Sequence, residues 1–134
     1  QQIAAFMFPK KSAGLLLAWL DNQVIAAIIF YTDGQTMMYT HAANSTEYRK
    51  YSPATGLALY SLKFAHKQGC KIYDWCGVAP EHDDSNPRWK SWAGFTHFKL
   101  SFGGQRVDRL GTWELPINKR RYRIYRLLLA LAHR

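Results

Sequence analysis

The sequence predicts an α+β fold, a mixed and mostly antiparallel sheet flanked by helices, formed by a single domain of 134 residues. Three observations support this class. β-rich runs joined by turn residues come first along the chain, a long helical segment follows them, and a further β run comes after that helix. Hairpins first and a crossover helix later are typical of an α+β protein with a mixed sheet.

Three β-rich runs occupy the first third of the chain. Residues 14–20, 24–31 and 36–43 are dominated by apolar and β-branched residues. Asp21-Asn22 separates the first two runs and Asp33-Gly34 the last two, and both pairs are typical of hairpin turns. We therefore expect three consecutive antiparallel strands.

The helical segments are indicated by apolar spacing and by end signals. The strongest covers residues 53–68, which begins near Pro53 and ends at Gly69, the usual asymmetry of a helix. The other predicted helices are the end of one in residues 1–11 that stops at Pro9, short ones in 87–92 and 94–102, and a closing basic helix in 119–133 capped by Asn118. Residues 71–75 and 106–115 are expected to form further strands, and the polar residues 81–86 a loop.

The net positive charge of the chain comes from its last third. Residues 1–85 carry seven Lys/Arg and seven Asp/Glu, whereas residues 86–134 carry eleven basic residues and two acidic ones, which accounts for the net charge of +9. A one-sided basic field favours an anionic partner such as RNA, a phosphorylated substrate or an acidic membrane surface. A solubilising tail is the alternative.

The cysteines and histidines argue against a metal site. Cys70 and Cys76 are the only thiols, and a short predicted strand separates them. Side chains alternate along a strand and do not easily bridge within it, so we expect two reduced, structural cysteines. Neither a CxxC nor an HxE pattern is present, and the five histidines are scattered.

Nothing in the sequence predicts a membrane span. The longest apolar runs, residues 24–30 and 127–132, are far shorter than the ~20 residues that a span needs. No cleavable leader is visible, so we expect a cytoplasmic protein. The chain begins with Gln1 and not with methionine, which leaves a missing upstream domain open.

Two short motifs carry the functional signal. Residues 94–104 are G-F-T-H-F-K-L-S-F-G-G, which places Lys99 between aromatic residues and ends in a Gly-Gly break. Residues 73–77 are Y-D-W-C-G and end a predicted buried strand with an acid and a small residue. A lysine framed in this way presents a fixed positive charge, so the two motifs together predict a site.

The order of the elements and four segments resemble a known family. A meander, a helix, a strand ending in Tyr-Asp and a late strand follow the order of the GCN5-related N-acyltransferase fold. Residues 43–50, 65–69 and 73–78, and Gly94 with residues 98–104, resemble the FemABX family, and the likeness covers residues 14–134. Members of that family add amino acids from aminoacyl-tRNA to the stem peptide of peptidoglycan precursors. The resemblance implies a tRNA-dependent aminoacyltransferase without a cofactor, acting on a UDP-linked or lipid-linked precursor in forming the interpeptide bridges of the cell wall.

This likeness is to one half of the family's usual architecture. Family members typically pair two acyltransferase domains, and residues 1–134 resemble the second one, with 118–134 as its closing helix. In the family that helix packs on the first domain, so the resemblance implies a missing N-terminal domain or a partner subunit, as in a homodimer. Where the family has Tyr-Asp-Phe-Gly-Gly, this chain has Trp75 and Cys76, a bulkier ring and a side chain in place of a bare backbone.

Aminoacyl transfer from an ester to an amine sets clear demands on a site. The amine must be unprotonated, the carbonyl must be close, and a positive group must face the developing oxyanion. The resemblance gives Lys99 that role, or a contact with a phosphate of donor or acceptor. Asp74 is a candidate proton acceptor; the alternatives are a strand-end carboxylate that satisfies backbone donors, or transfer without a protein base.

The remaining candidates would bind substrate. Phe98 would wall the site and stack on a terminal base. The full set of predicted substrate-binding residues is Phe98, Tyr73, Arg49, Phe102, Gly103 and Gly104. Arg49, before the long helix, would contact a phosphate, with a solvated basic pair as the alternative; Tyr73 is expected to be core more than catalytic.

The donor is expected not to be coenzyme A. Acyl-CoA enzymes of this fold carry a Q/R-x-x-G-x-G/A turn whose amides cradle a pyrophosphate. Residues 49–56 contain a proline and a single glycine instead. An acyl-CoA-dependent N-acetyltransferase and a non-catalytic RNA-binding remnant are the alternative functions.

The closing helix has three competing interpretations. One is packing of its apolar residues, which are Tyr122, Tyr125, Leu128, Leu129 and Ala132. The others are contact of its basic front with tRNA phosphates and peripheral contact with a membrane. We expect packing first, with the basic front as a tRNA contact.

Overall fold

Four strands and three helices make up the computed structural model, which describes residues 6–81, 87–109 and 113–132. In chain order the elements are β1 (Ala13–Leu20), β2 (Gln23–Thr32), β3 (Thr36–Asn44), a 3-10 turn (Arg49–Tyr51), α1 (Pro53–Lys67), β4 (Ile72–Asp74), α2 (Pro87–Leu100) and α3 (Lys119–Ala132). The chain divides into two compact units, Gln1–Gly103 and Gly104–Arg134. The predicted α+β class is confirmed.

The first unit is built on a mixed sheet with the strand order β1-β2-β3-β4. β1, β2 and β3 pair antiparallel, and β4 pairs parallel with β3 from Thr36↔Ile72 to Met38↔Asp74. The turn residues Asp21 and Asn22 both take positive φ, 48° and 64°, as the tight hairpins that match strand twist require. The three predicted antiparallel strands are therefore confirmed, and α1 is the predicted crossover that makes β4 parallel to its neighbour.

The core lies between one face of this sheet and α1. β2 contributes the buried Ile28 and Phe30, β3 contributes Met37, and α1 contributes Leu57 and Ala65. Alternate residues of a strand point to one face, and residues at helical spacing share another, so the two stripes meet. This packing fixes the position of β4, whose last residue opens the candidate site.

A buried hydroxyl ties α1 to β4. The Ser61 side chain is fully buried; its hydroxyl donates to the carbonyl oxygen of Ala58 at 2.7 Å, and its Oγ lies 2.6 Å from the hydroxyl oxygen of Tyr73. Both hydroxyl groups are thereby satisfied inside the core.

The structure corrects two predicted elements. The predicted helices 87–92 and 94–102 are one continuous helix, α2, because an interior glycine such as Gly94 costs a helix only about 1 kcal/mol and does not interrupt its hydrogen bonds. The strand predicted for 106–115 is wrong for its described residues, 106–109 and 113–115, which form no ladder. Their apolar members Val107 and Leu115 are exposed, so the alternation there does not reflect a buried face.

Some predicted elements fall partly outside the described residues. Phe6 and Met7 are helical and residues 8–11 form turns, but 1–5 lie outside the described part of the chain. Of the predicted loop 81–86, only Glu81 is among the described residues. Residues 82–86 lie outside them, and so does His133, which was predicted to end the closing helix.

The second unit contains α3, and its predicted cap is confirmed. Asn118 Oδ1 accepts from the backbone N–H groups of Arg120 and Arg121, each at 3.1 Å. Of the apolar residues that we expected to pack, Tyr125 and Leu128 are exposed. Among the described residues, no helix combines the length and the apolar character that crossing a membrane would require.

The β2–β3 hairpin provides a pH-dependent contribution to stability. Asp33 Oδ1 accepts from the N–H groups of Thr36 at 2.7 Å and Gln35 at 2.8 Å, and these bonds hold the pKa of Asp33 below its usual range. A carboxyl with a lowered folded pKa stabilises the fold above its unfolded pKa of about 4 and loses that contribution as pH falls through the folded value.

We expect Asp33→Asn to lose this dependence. The variant should be less stable than the wild type at pH 7, and the difference between their thermal midpoints should shrink as pH is lowered from 7 to 3. Asp21→Asn in the other hairpin is the matched control for loss of one surface charge. Parallel curves for wild type and Asp33→Asn would contradict the assignment.

Candidate active site

The candidate site begins where β4 ends, at residues 74–77, where the Asp74 side chain closes an Asx-type turn with the backbone. Asp74 is the last residue of β4, and its Oδ1 accepts the backbone N–H of Cys76 at 2.7 Å. Cys76 takes the left-handed conformation, with φ of 60°, which is unfavourable for a residue with a Cβ. An aspartate that bonds the backbone two residues on is a common way to close such a turn.

Lys99 reaches this turn from α2. Its Nζ donates to the carbonyl oxygen of Gly77 at 2.8 Å and lies 5.2 Å from the centroid of the Phe95 ring. The side chain is half-buried. The sequence predicted a lysine framed by aromatics, and the structure places this lysine against the other predicted motif, so the two motifs meet in one candidate site.

Burial and neighbouring charges together set the pKa values of Lys99 and Cys76. Burial lowers the pKa of Lys99, while the negative charges of Cys76 in its thiolate form and of the Asp74 carboxylate act to raise it. Burial also raises the pKa of Cys76, as does Asp74, and Lys99 opposes that rise. A thiol with a raised pKa is mostly protonated at neutral pH and is a poor nucleophile, so Cys76 is a coupled neighbour of Lys99 and not a candidate nucleophile.

An aromatic cluster centred on Trp75 joins the turn to the end of α2. The Trp75 ring stacks on Phe102 with centroids 4.7 Å apart and meets Phe98 edge-on at 6.5 Å. On the sheet side it lies 4.8 Å from Tyr73 and 5.2 Å from Tyr39. Phe98 and Phe102, two predicted substrate-binding residues, therefore pack on the neighbour of Asp74. Sequence reasoning treated Trp75 only as a departure from the family pattern and missed its central position.

Tyr73 is held by packing. Burial raises the pKa of Tyr73 to about 12, against the lowering effect of its hydrogen bond with Ser61, while Tyr39 and Cys76 raise it further. A tyrosine in this state keeps its proton at neutral pH. Tyr73 packs against both clusters of core residues, and its part in substrate binding stays a prediction.

The predicted Gly-Gly break does end the helix. Gly103 and Gly104 have φ of 75° and 105°, and the Gly103 N–H donates to the carbonyl of Leu100 at 3.0 Å. Left-handed glycine directly after a helix is the usual way to close its last turn. Gly103 is also the last residue of the first compact unit.

Arg49 belongs to a different element from these residues. It opens the 3-10 turn before α1 and is exposed. Within the described ranges, no hydrogen bond or ion pair joins its side chain to Lys99 or Asp74. The structure therefore brings the two sequence motifs together, and within the described residues it shows no side-chain bond from Arg49 to either of them.

The same 3-10 turn bears on the choice of donor. The N–H of Ser52 donates to the carbonyl of Arg49 at 2.9 Å, and that of Tyr51 to Tyr48 at 3.0 Å. Ser52 is left-handed, with φ of 49°, and Pro53 has no N–H. These amides are used inside the turn, whereas a pyrophosphate cradle needs them to point outward.

Among the described residues, the candidate site is marked neither by a group of metal ligands nor by the cavity of about 520 Å³. In the part of the chain that the structure describes, no three His, Cys, Asp or Glu residues are grouped as metal ligands. A cavity of about 520 Å³ is lined by Phe8, Phe30, Met37, Phe64 and Cys70, among others, and by none of the predicted site residues. Its lining residues Gln68 and Cys70 precede β4 in the chain, whereas Asp74 is the last residue of that strand. We therefore define the candidate site by residues 74–77 and by Lys99, which bonds to Gly77, and not by the cavity.

Comparison with known proteins identifies the family. The model of the FemAB family matches residues 16–129. A curated relative, the Lipid II:glycine glycyltransferase of Staphylococcus haemolyticus (strain JCSC1435), is 26% identical over 110 residues, which are 81% of this chain and 25% of that protein. The chain thus spans about a quarter of the length of the curated relative that it matches.

Solved structures establish the fold. The apo aminoglycoside antibiotic 6'-N-acetyltransferase AAC(6')-IG of Acinetobacter haemolyticus superposes with a TM-score of 0.57 at 19% identity, covering 87% of this chain and 79% of that one. The ribosomal-protein-alanine N-acetyltransferase of Brucella melitensis biovar Abortus 2308 gives 0.55 at 12% identity, with coverages of 85% and 78%. The predicted GCN5-related N-acyltransferase fold is confirmed. Because the family model also matches well over half of the chain, this protein belongs to the FemAB family.

Proposed function

We propose that this chain takes part in aminoacyl transfer from aminoacyl-tRNA to an amine of a peptidoglycan precursor stem peptide. Membership of the FemAB family and the likeness to a Lipid II:glycine glycyltransferase support the reaction and the acceptor class. The observation that carries the proposal is the fixed ammonium of Lys99, bonded at 2.8 Å to the carbonyl oxygen of Gly77, three residues after the end of β4.

In the proposed reaction the acceptor amine attacks the carbonyl carbon of the aminoacyl ester. A C–N bond forms, the C–O bond to the ribose breaks, and the ribose oxygen leaves with the proton that the amine gives up. Negative charge develops on the carbonyl oxygen, and Lys99 is the group that we assign to stabilise it or to hold a phosphate of donor or acceptor. No covalent enzyme intermediate is needed, which suits a site whose thiol is held protonated.

The other residues enter this proposal by position. Phe98 and Phe102 form a wall beside Lys99 through their packing on Trp75, and Phe98 is the ring that we assign to a terminal base of the donor. Gly103 and Gly104 border that wall in the sequence. We assign Asp74 the role of a carboxylate at the strand end that accepts a backbone N–H, with acceptance of the amine proton as the alternative role.

Two basic elements are assigned to the nucleic acid. The sequence of α3, K-R-R-Y-R-I-Y-R-L-L-L-A-L-A, has five basic residues and no acidic one, so we assign it to phosphates of the tRNA. Arg49 is the candidate for a further phosphate contact. With charged tRNA as the donor, the reaction would take place on the cytoplasmic side, and a lipid-linked acceptor would add peripheral contact with the membrane.

The test is a comparison of donors. The full chain is incubated with tRNA charged with a mixture of labelled amino acids and with UDP-linked or lipid-linked pentapeptide precursor, and mass spectrometry detects the precursor extended by one residue. A parallel reaction contains acetyl-CoA. Extension by an amino acid supports the proposal; acetylation without extension, or salt-sensitive RNA binding without either product, would overturn it.

A further inference from the structure

We propose that Asp74 is a positioning residue, which holds the left-handed turn at Cys76 so that the carbonyl of Gly77 anchors the ammonium of Lys99. The idea goes beyond the proposed function by giving Asp74 a role that acts through the backbone. Of its two tests, the measurement of turnover rests on the proposed function, whereas the measurement of the Lys99 pKa does not.

The turn has a structural need for Asp74. Cys76 has φ of 60°, a conformation that glycine adopts freely and that a Cβ disfavours. The bond of 2.7 Å from the Cys76 N–H to Asp74 Oδ1 compensates for this. Without that acceptor, Cys76 would relax toward ordinary backbone angles and move the peptide that follows it.

The peptide that follows is the one that Lys99 contacts. One face of α2 holds the segment after the turn at three successive helical turns, because residues three or four apart in a helix lie on the same side. Gly77 faces the Trp92 ring, since a Cβ on Gly77 would be in van der Waals contact with that ring at 3.4 Å. The buried Thr96 hydroxyl accepts the N–H of Ala79 at 3.0 Å, and Lys99 donates to the carbonyl of Gly77. A displaced Gly77 would therefore lose its bond to Lys99.

Fixing this ammonium matters because a lysine side chain has four rotatable bonds. A positive group stabilises a transition state best when its position is set before the reaction. Lys99 has a backbone partner and a ring beside it. The turn supplies the partner, so the position of the charge depends on Asp74.

Substitutions at Asp74 separate positioning from proton acceptance. Asparagine keeps an oxygen that accepts the Cys76 N–H but cannot take a proton, whereas alanine removes both properties. With positioning, Asp74→Asn should turn over about tenfold faster than Asp74→Ala, the size of effect that one lost hydrogen bond of this kind produces. Equal losses in the two variants would overturn positioning in favour of proton acceptance.

A rescue at Cys76 tests the backbone step itself. Glycine adopts positive φ without support, so adding Cys76→Gly to Asp74→Ala should recover turnover several-fold. No glycine at this position replaces a missing proton acceptor, and absence of rescue would therefore contradict the proposal.

The second measurement needs no substrate. In protein labelled with ¹³C at lysine Cε, the Lys99 resonance, assigned with Lys99→Gln, reports the pKa of its amine. Asp74→Asn removes the carboxylate charge that raises this pKa but keeps the burial that lowers it, so the pKa of Lys99 should fall. Asp74→Ala also frees the side chain into water, so its pKa should lie above that of the asparagine variant, toward the ordinary value.

Asp33→Ala is the matched control, because Asp33 closes the same kind of turn in the β2–β3 hairpin. It should leave the Lys99 titration unchanged. If Asp74→Ala does not fold, Asp74→Glu is the second variant, since it keeps the charge but shifts the acceptor oxygen by one methylene. If the pKa of Lys99 is the same in Asp74→Asn and in Asp74→Ala, the proposal is overturned, whether or not the chain shows turnover.

Discussion

Replacing Lys99 with methionine is expected to lower turnover at least about tenfold while leaving the protein folded, because a preorganised positive group at a developing oxyanion contributes a factor of this size or more. Methionine has a similar length and fills the same half-buried space beside Phe95, but it donates no hydrogen bond to Gly77. The measurement is the rate of precursor extension with saturating donor and acceptor. Circular dichroism and urea unfolding confirm that the variant is folded.

The matched control for this substitution lies on the same helix. Lys90 is exposed on α2, so Lys90→Met makes the same chemical change and removes the same unit of charge away from the turn. Its turnover should stay within about twofold of the wild type, as is usual for surface substitutions that break no contact. Unchanged turnover in Lys99→Met with saturating substrates would remove Lys99 from the reaction.

Much of the fold could be predicted because its signals are local. The residue pairs Asp21-Asn22 and Asp33-Gly34 sit at the two hairpins, and proline and glycine bracket α1. The predictions failed where a local signal was outweighed. Gly94 suggested a break, but the hydrogen bonds of α2 continue through it, and the alternation in 106–115 has no neighbouring strand among the described residues.

The site could be predicted in part. The motifs around Lys99 and Asp74 were visible because both combine charged and aromatic residues in an unusual order. The anchor of Lys99 was not, since it is the backbone carbonyl of Gly77, and a carbonyl is the same at every position of a sequence. The left-handed state of Cys76 was equally hidden, because glycine, asparagine and aspartate are the residues that signal positive φ and cysteine is not.

The central ring of the aromatic cluster gives the largest expected effect on stability. Trp75 contacts Tyr39 and Tyr73 on the sheet and Phe98 and Phe102 at the end of α2. Trp75→Ala removes these contacts at once and leaves a cavity that the rigid sheet cannot close. For a half-buried tryptophan we expect a loss of about 3 kcal/mol in the free energy of unfolding, the lower end of the range for large aromatic truncations.

The same substitution should also lower turnover, because Trp75 joins the turn that anchors Lys99 to the helix that carries it. Trp113 is 81% exposed, so Trp113→Ala is the matched control and should cost less than about 0.5 kcal/mol. Trp75→Phe keeps a ring in the cluster and should fall between the two. Stability is measured by urea unfolding curves for the three variants, and turnover by precursor extension in the absence of urea. A cost for Trp75→Ala as small as that for Trp113→Ala would mean that the cluster does not hold α2 against β4, and the position of Lys99 would then need another explanation.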